Sequence, residues 1–274
     1  MKIFQPLLKL LFLTFSLFNF FTFCYPQDFS GELAEIKGTV EILKEGETEW
    51  VSVVSGMPVQ LKDRLKTGNN SSCDMELDDG SIIYIGENTE ASVEMLELTA
   101  DKHSSKISLW FGKILANISK SKNTKMEVHS PTAIVAVRGT EFVVESKGEE
   151  TDVGVFDGEV GVKNTEGETI EEVTVKPDEE TSVRKGVRPR PPSRLILMQK
   201  NKERNLRIRN RVAQLRERLK RVPPEKRAKA RQLAYEKFQK LREKRIEQIK
   251  KNQQKRRAIK RETIKRERQN RNRR

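Results

Sequence analysis

The stretch HSPTAIVAVRGTEFVVE, residues 129–145, sets two apolar runs on either side of an arginine and a glycine. Val135 and Val137, then Phe142 and Val144, recur at every second position, the period of a strand with one buried face. Arg138-Gly139-Thr140-Glu141 stands between the runs. Such an interruption can be a catalytic loop, a ligand clasp or a structural turn, and the flanking sequence has to separate the three.

The same pattern continues on both sides. ELAEIKGTVEIL, WVSVVSGMPVQL, CDMELDDGSIIYIGE, EASVEMLEL, KISLWFGKILANI, TDVGVFDGEVGVK and EEVTVKP are short β-branched, leucine or aromatic runs punctuated by glycine. None sustains a 3.6-residue period over the length a helix needs. Asp79-Gly80 and Asp157-Gly158 lie between alternating runs and read as hairpin turns, because both dipeptides tolerate positive φ. Gly38, Gly112 and Gly158 each precede a polar and then a β-branched residue. A glycine at such a strand entry lets the backbone bend at a sheet corner. Ten or more short strands over residues 30–185 predict a mainly β fold, an antiparallel β-sandwich or roll.

The order of these segments resembles the FecR domain family, extracytoplasmic β domains first known from regulators of iron uptake. GTVEIL, the stretch from Val51 through Lys66-Thr67-Gly68 and Asp79-Gly80-Ser81, FGKILANI, PTAIVAVRGTEF and Asp157-Gly158-Glu159-Val160 carry the resemblance over residues 33–163. Its motif residues here are Asp79, Gly80, Pro131, Thr132, Arg138, Gly139, Thr140, Glu141, Phe142, Asp157 and Gly158. Within the motif, Arg138 is expected to be partly buried and paired with Glu141, since a guanidinium fork suits a carboxylate. Gly139 would permit a bulge, and Phe142 and Val144 would return to the core. On this reading the group is structural and Arg138→Ala lowers stability; the alternative is that Arg138 and Glu141 clasp a ligand or partner.

Catalysis finds little support, for the chain has no nucleophile elbow and no phosphate loop, and an enzyme acting on envelope polymers is the third and weakest reading. His103, His129 and Cys73 are scattered without ligand spacing, so no metal or other cofactor is expected. Residues 1–24, two lysines followed by a Leu/Phe-rich run, read as a signal peptide or membrane anchor. Cleavage after Cys24, lipidation of Cys24 and an uncleaved anchor all remain open, and all three imply export. Without the leader, Cys73 is the one cysteine, read as a small buried side chain on a strand rather than a reactive thiol.

Charge divides the chain. Residues 194–274 hold 33 Lys and Arg against 8 Asp and Glu, whereas residues 1–193 hold 21 against 32. A Pro-rich linker, residues 186–193, separates the β region from this basic tail. Ile208, Val212, Leu215, Leu219 and Val222 follow the seam of an amphipathic helix, and Pro223-Pro224 ends it. Ala230, Ala234, Phe238, Leu241 and Ile249 give a second, narrower stripe, so the two helices can form a hairpin; beyond Ile264 nothing remains to bury and the chain should fray.

Export argues against nucleic acid as the basic tail's target. An anionic envelope component, an acidic protein or the acidic β region itself are the partners left, membrane association is compatible with all of them, and oligomeric state is not readable. The reading is an exported, non-enzymatic binding or scaffold module of the periplasm or outer envelope. The alternative implied by the resemblance is a FecR-type regulator in transmembrane iron or sigma-factor signalling, although the chain opens directly on its apolar leader.

Overall fold

Strands of this protein change partners where glycine takes positive φ. The computed structural model describes residues 31–98, 103–120, 124–167 and 170–271; Cys24 and the rest of the leader lie outside them. In chain order the strands are β1 (Gly31–Lys37), β2 (Val40–Leu43), β3 (Val51–Ser52), β4 (Met57–Pro58), β5 (Arg64–Thr67), β6 (Ser72–Leu77), β7 (Ile82–Ile85), β8 (Glu90–Leu98), β9 (His103–Asn117), β10 (Thr124–His129), β11 (Ala133–Val137), β12 (Glu141–Ser146), β13 (Glu150–Asp157), β14 (Val160–Asn164), β15 (Glu172–Val175), β16 (Glu179–Arg184) and β17 (Ser193–Arg194). A 3-10 turn, Met198–Asn201, leads into helix α1 (Lys202–Arg221), and α2 (Pro224–Arg271) follows. The chain is mainly β with two C-terminal helices.

The ladders fall into two groups joined through β9. In the first, β1 pairs with β4 and β6, β6 with β7, β12 with β13, and β13 with β16. In the second, β2 pairs with β3 and β5, β5 with β8, β10 with β11, and β14 with β11 and β15. The early half of β9 lies between β8 and β10, and its late half, Gly112 to Asn117, lies between β7 and β12. Gly112 sits at the change of partners with φ +95°, and a Cβ there would overlap Thr89. Gly38, between β1 and β2, and Gly158, between β13 and β14, mark two more crossings. The three glycines expected at sheet corners are at corners.

Two expectations need correction. Asp157-Gly158 is not a hairpin turn, because β13 and β14 do not pair; the chain crosses there from one group to the other. Asp79-Gly80 does close the β6–β7 hairpin, with the Gly80 amide donating to Leu77 O at 3.0 Å. The network is also mixed rather than purely antiparallel, since β9 and β10 run parallel. After Asn117 the chain returns to the start of β9 before pairing again, so β10 enters in the same direction.

Alternation gives the two groups one shared interior. Leu33, Met75, Ile83, Ala116, Phe142 and Val153 of the first group meet Ile42, Leu65, Leu109, Val135 and Val160 of the second in a single apolar cluster. Between them, Ile82, Tyr84, Leu115 and Val143 point the other way and form a second cluster with Met198, Ile208, Val212 and Leu215. Strands β6 and β7 are therefore buried at every position, covered on both faces. The seam of α1 is the cover, although Leu219 is only partly buried.

The helices do not form a hairpin: α1 lies over the first group of strands, while α2 inserts Phe238 into the shared interior beside Met57. Their buried apolar side chains pack on the β body, and near the turn Arg227 of α2 donates to Leu219 O at 3.1 Å and Val222 O at 2.7 Å. Ala230 and Leu241 of the expected stripe are exposed, and the backbone of α2 stays helical through Arg271, past the point where fraying was expected. Residues 186–193 run beside β16, the Arg190 amide donating to Ser182 O and Thr181 Oγ1 donating to Arg190 O.

Gly112→Ala is expected to cost about 2–4 kcal/mol in urea unfolding, since it adds a clash to a left-handed backbone. Burial pushes the Cys73 thiol up to about 12. In a chain carrying Cys24→Ser, a disulfide reagent at neutral pH should label Cys73 only when denaturant is added, because the thiolate is the attacking form.

Candidate functional site

Alternation on the outer face of the first group does more than place apolar residues under α1. In β6, Cys73, Met75 and Leu77 turn inward, so Asp74 and Glu76 must turn outward, and there they are 4% and 5% exposed. Glu32 of β1, Asp78 after β6, Glu141 of β12 and Asn117 of β9 share that face. Carboxylates shielded from water need a counter-charge, and α1 and α2 supply it as arginine.

Arg211 bonds both Asp74 and Glu76. Arg218 donates to Glu76 at 2.5 Å and Glu32 at 3.1 Å. Arg231, itself buried, grips Asp78 with two bonds of 2.6 and 2.9 Å and reaches Glu32 at 3.2 Å, and Arg227 meets Asp78 at 3.1 Å. Farther along α2, Arg242 pairs with Glu47 and Arg245 donates to Ser52 Oγ at 3.1 Å. These arginines and Phe238 fall on one side of α2 at helical spacings. The start of the arm is fixed by Glu180, whose carboxylate accepts the Leu197 and Met198 amides at 3.0 and 2.9 Å.

Burial raises the Glu76 pKa, against the opposing charge and hydrogen bond of Arg218. Burial likewise lowers Arg211, against the attraction of Glu35. Desolvation is the dominant cost on both sides of this contact. At Arg231 burial also acts to lower the pKa, but its bonds to Asp78 and Glu32 outweigh it and the net direction is up.

Glu141 is the motif residue that belongs to this surface. Arg209 forks across it, Nε to Oε1 at 2.9 Å and Nη2 to Oε2 at 2.6 Å. Asn205 donates to Oε2 at 2.8 Å and Asn117 to Oε1 at 2.9 Å. The bond to Glu141 raises the Arg209 pKa. The expected Arg138–Glu141 pair is therefore absent: Arg138 is exposed and has no ion-pair or hydrogen-bond partner among the described residues. The strand parity explains why, since Val137 is turned into the interior and its neighbour must face water.

Gly139 does not form a bulge. At φ +66° it makes the crossing from β11, in the second group, to β12, in the first, packed so tightly on Lys120 that a Cβ would sit 2.8 Å from the Lys120 Cα. The register shift nearby lies in β13, opposite Glu141 and Phe142. Thr140 and Phe142 are fully buried.

The other motif residues are held separately. Thr132 Oγ1 donates to Thr151 at 2.7 Å, and Pro131 O accepts from Thr165 at 2.8 Å. Asp79 accepts the Ser81 amide and hydroxyl, both at 2.9 Å, in the turn that packs Gly80 against Arg216. Asp157 accepts from Lys120 at 2.5 Å, a bond that lowers its pKa. No group of three or more metal-binding side chains occurs among the described residues. No helix among them is long and apolar enough to cross a membrane.

Residues 63–161 match the family model described as FecR protein. The chain carries a FecR domain. All the motif residues fall inside the matched stretch, whereas the arginines that occupy its acidic face come from outside it. Two crystal structures of a candidate anti-sigma factor from Parabacteroides distasonis, at 1.65 and 2.50 Å, show 18% identity and TM-scores of 0.40 and 0.41. The similarity covers 50% of this chain and 62% of theirs, so the chain spans less than two thirds of the structures it matches. No curated protein matches the sequence.

Asp74, Glu76, Arg211 and Arg231 were missed by the sequence reading. The available signal was CDMEL, a strand whose outward positions are all acidic, combined with arginines seven apart at 211 and 218 and four apart at 227 and 231. Arg211→Ala should cost about 3–5 kcal/mol in urea unfolding by stranding the buried Asp74 and leaving Glu76 to Arg218 alone. Arg138→Ala should stay within about 0.5 kcal/mol of the parent, as an exposed, unpaired side chain.

Proposed function

We propose that this chain is a non-catalytic FecR-domain protein that works in the cell envelope as a binding scaffold, with its basic arm divided between two tasks. The proximal part of the arm, through Arg245, is clamped to the acidic face of the FecR domain. The distal part reaches an anionic envelope component. The observation that carries this reading is where the contacts stop: among the described side chains, none after Arg245 bonds the β body, and Lys251 pairs only with Glu247 of its own helix. Residues 246–271 hold 11 Lys and Arg against 3 Asp and Glu. Such a helix gains little from the body and gains free energy from its attraction to an anionic surface.

The FecR domain favours a second reading, a regulator that acts through a protein partner, as the description of the Parabacteroides protein as an anti-sigma factor suggests for that protein. The two share one physical premise: Glu141, the motif carboxylate, is a socket for a basic helix. A regulator would present that socket to a partner's helix when its own arm is displaced.

Full-length protein should sediment with vesicles rich in anionic phospholipid and not with zwitterionic ones, with binding lost at about 1 M salt, where the screening length is about 3 Å. Replacing Lys250, Lys251, Lys255 and Arg256 by Gln should abolish sedimentation without lowering the melting temperature. Binding unaffected by these changes, or no binding to anionic vesicles at all, would remove the scaffold reading and leave the second, with a partner's basic helix in the Glu141 socket.

A further inference from the structure

An open cleft of about 610 Å³ lies where the arm leaves the body, walled by Lys113 and Lys147 on one side and by Lys200 and Arg204 on the other, with Lys37 at its edge. Its two carboxylates are already engaged. Glu87 accepts the Asn70 amide at 3.1 Å, and Glu145 is shared between Lys200 at 3.1 Å and Lys113 at 4.0 Å. Lys147 is paired with Asp152 at 2.7 Å. Arg204 has no carboxylate partner among the described residues; its guanidinium lies 4.5 Å from the centre of the Tyr84 ring. Four cations, Lys37, Lys113, Lys200 and Arg204, thus share the cleft with two carboxylates, Glu87 and Glu145.

Burial lowers the Lys113 pKa against the attraction of Glu145 and Glu87, and the charges of Lys200 and Arg204 lower it further. Elsewhere along the contact, Arg209, Arg211, Arg218, Arg227, Arg231 and Arg242 of the arm meet acids of the body. Here Lys200 and Arg204 meet another cation, in a space large enough for a ligand.

We propose that this cleft binds a small multivalent oxyanion of the phosphate class, bridging Lys113 of the body to Lys200 and Arg204 of the arm. A doubly charged anion balances the two uncompensated cations. The planar fork of Arg204 offers parallel N–H donors to two of its oxygens, and the lysines supply point charges from either wall. Because the walls belong to two different parts of the chain, such a ligand binds only while the arm is docked and tightens the docking in return. This site is independent of what the distal part of α2 touches.

Inorganic pyrophosphate and a water-soluble short-chain phosphatidic acid, titrated side by side into the full chain at constant ionic strength, separate free phosphate from a lipid headgroup. A saturable rise in melting temperature with either probe is expected, together with slowed amide exchange over residues 198–210. Lys200→Ala with Arg204→Ala should weaken binding at least tenfold by calorimetry, and Lys250→Gln with Lys251→Gln should leave it unchanged. Should the first double variant unfold, Lys113→Gln is read out in the same way. The proposal is overturned by no saturable response to either probe. It is equally overturned if binding survives the cleft variants or is lost in the distal one, since the anion would then sit on the exposed basic helix.

Discussion

The outer face of the first strand group cannot be left bare. Asp74, Glu76 and Glu141 are each less than a tenth exposed, and taking a carboxylate out of water costs several kcal/mol unless charge and hydrogen bonds replace the lost solvent. Arg211, Arg218 and Arg209 provide both, and they can do so only because Ile208, Val212 and Leu215 bring α1 down onto Ile82, Tyr84, Leu115 and Val143. Apolar seam and ionic rows depend on each other. Without the seam the arginines would remain in water, where such pairs contribute little; without the arginines the seam would have to cover unpaired charge.

This coupling changes the meaning of the sequence motif from which the fold was read. Arg138-Gly139-Thr140-Glu141 looks like one chemical unit, yet its members face three directions: Arg138 into solvent, Thr140 into the interior and Glu141 under the arm. What unites them is the crossing between strand groups made at Gly139, where the chain must leave one ladder and enter another within three residues. A corner fixes the outward direction of the next side chain, and Glu141 is that side chain. Within this chain the motif turns the backbone at its glycine and bonds the arm at its glutamate.

Much of this was legible in residue patterns, and the failures have physical causes. Glycines 38, 112 and 158 disclosed corners because their local requirement, positive φ, is a property of one residue. The α1 seam was legible from apolar spacing alone. The α2 contact was not, because its inward side is Arg227, Arg231, Phe238 and Arg242, and a search for apolar periodicity discards three of those four. Continuous runs such as Ile82 to Ile85 and Phe142 to Val144 carried the missing information: a strand with no polar alternate is covered on both faces, which announces a second layer before that layer is found. Arg138 was misplaced because fork geometry says what a guanidinium can bind, whereas strand parity decides which way it points.

The bond between Arg231 and Glu32 joins residues 199 positions apart, and Phe238 completes an interior that begins at Leu33. Translation delivers Glu32 and Leu33 well before Arg231 and Phe238. Until α1 emerges, the nascent β body has an uncovered band of isoleucine, tyrosine and valine on its flank, and until α2 emerges the place of Phe238 in its centre is unfilled. Closing so long a loop is entropically costly, and sheet-rich intermediates with open apolar surface aggregate readily. The late-arriving arm therefore decides how long both apolar surfaces stay open.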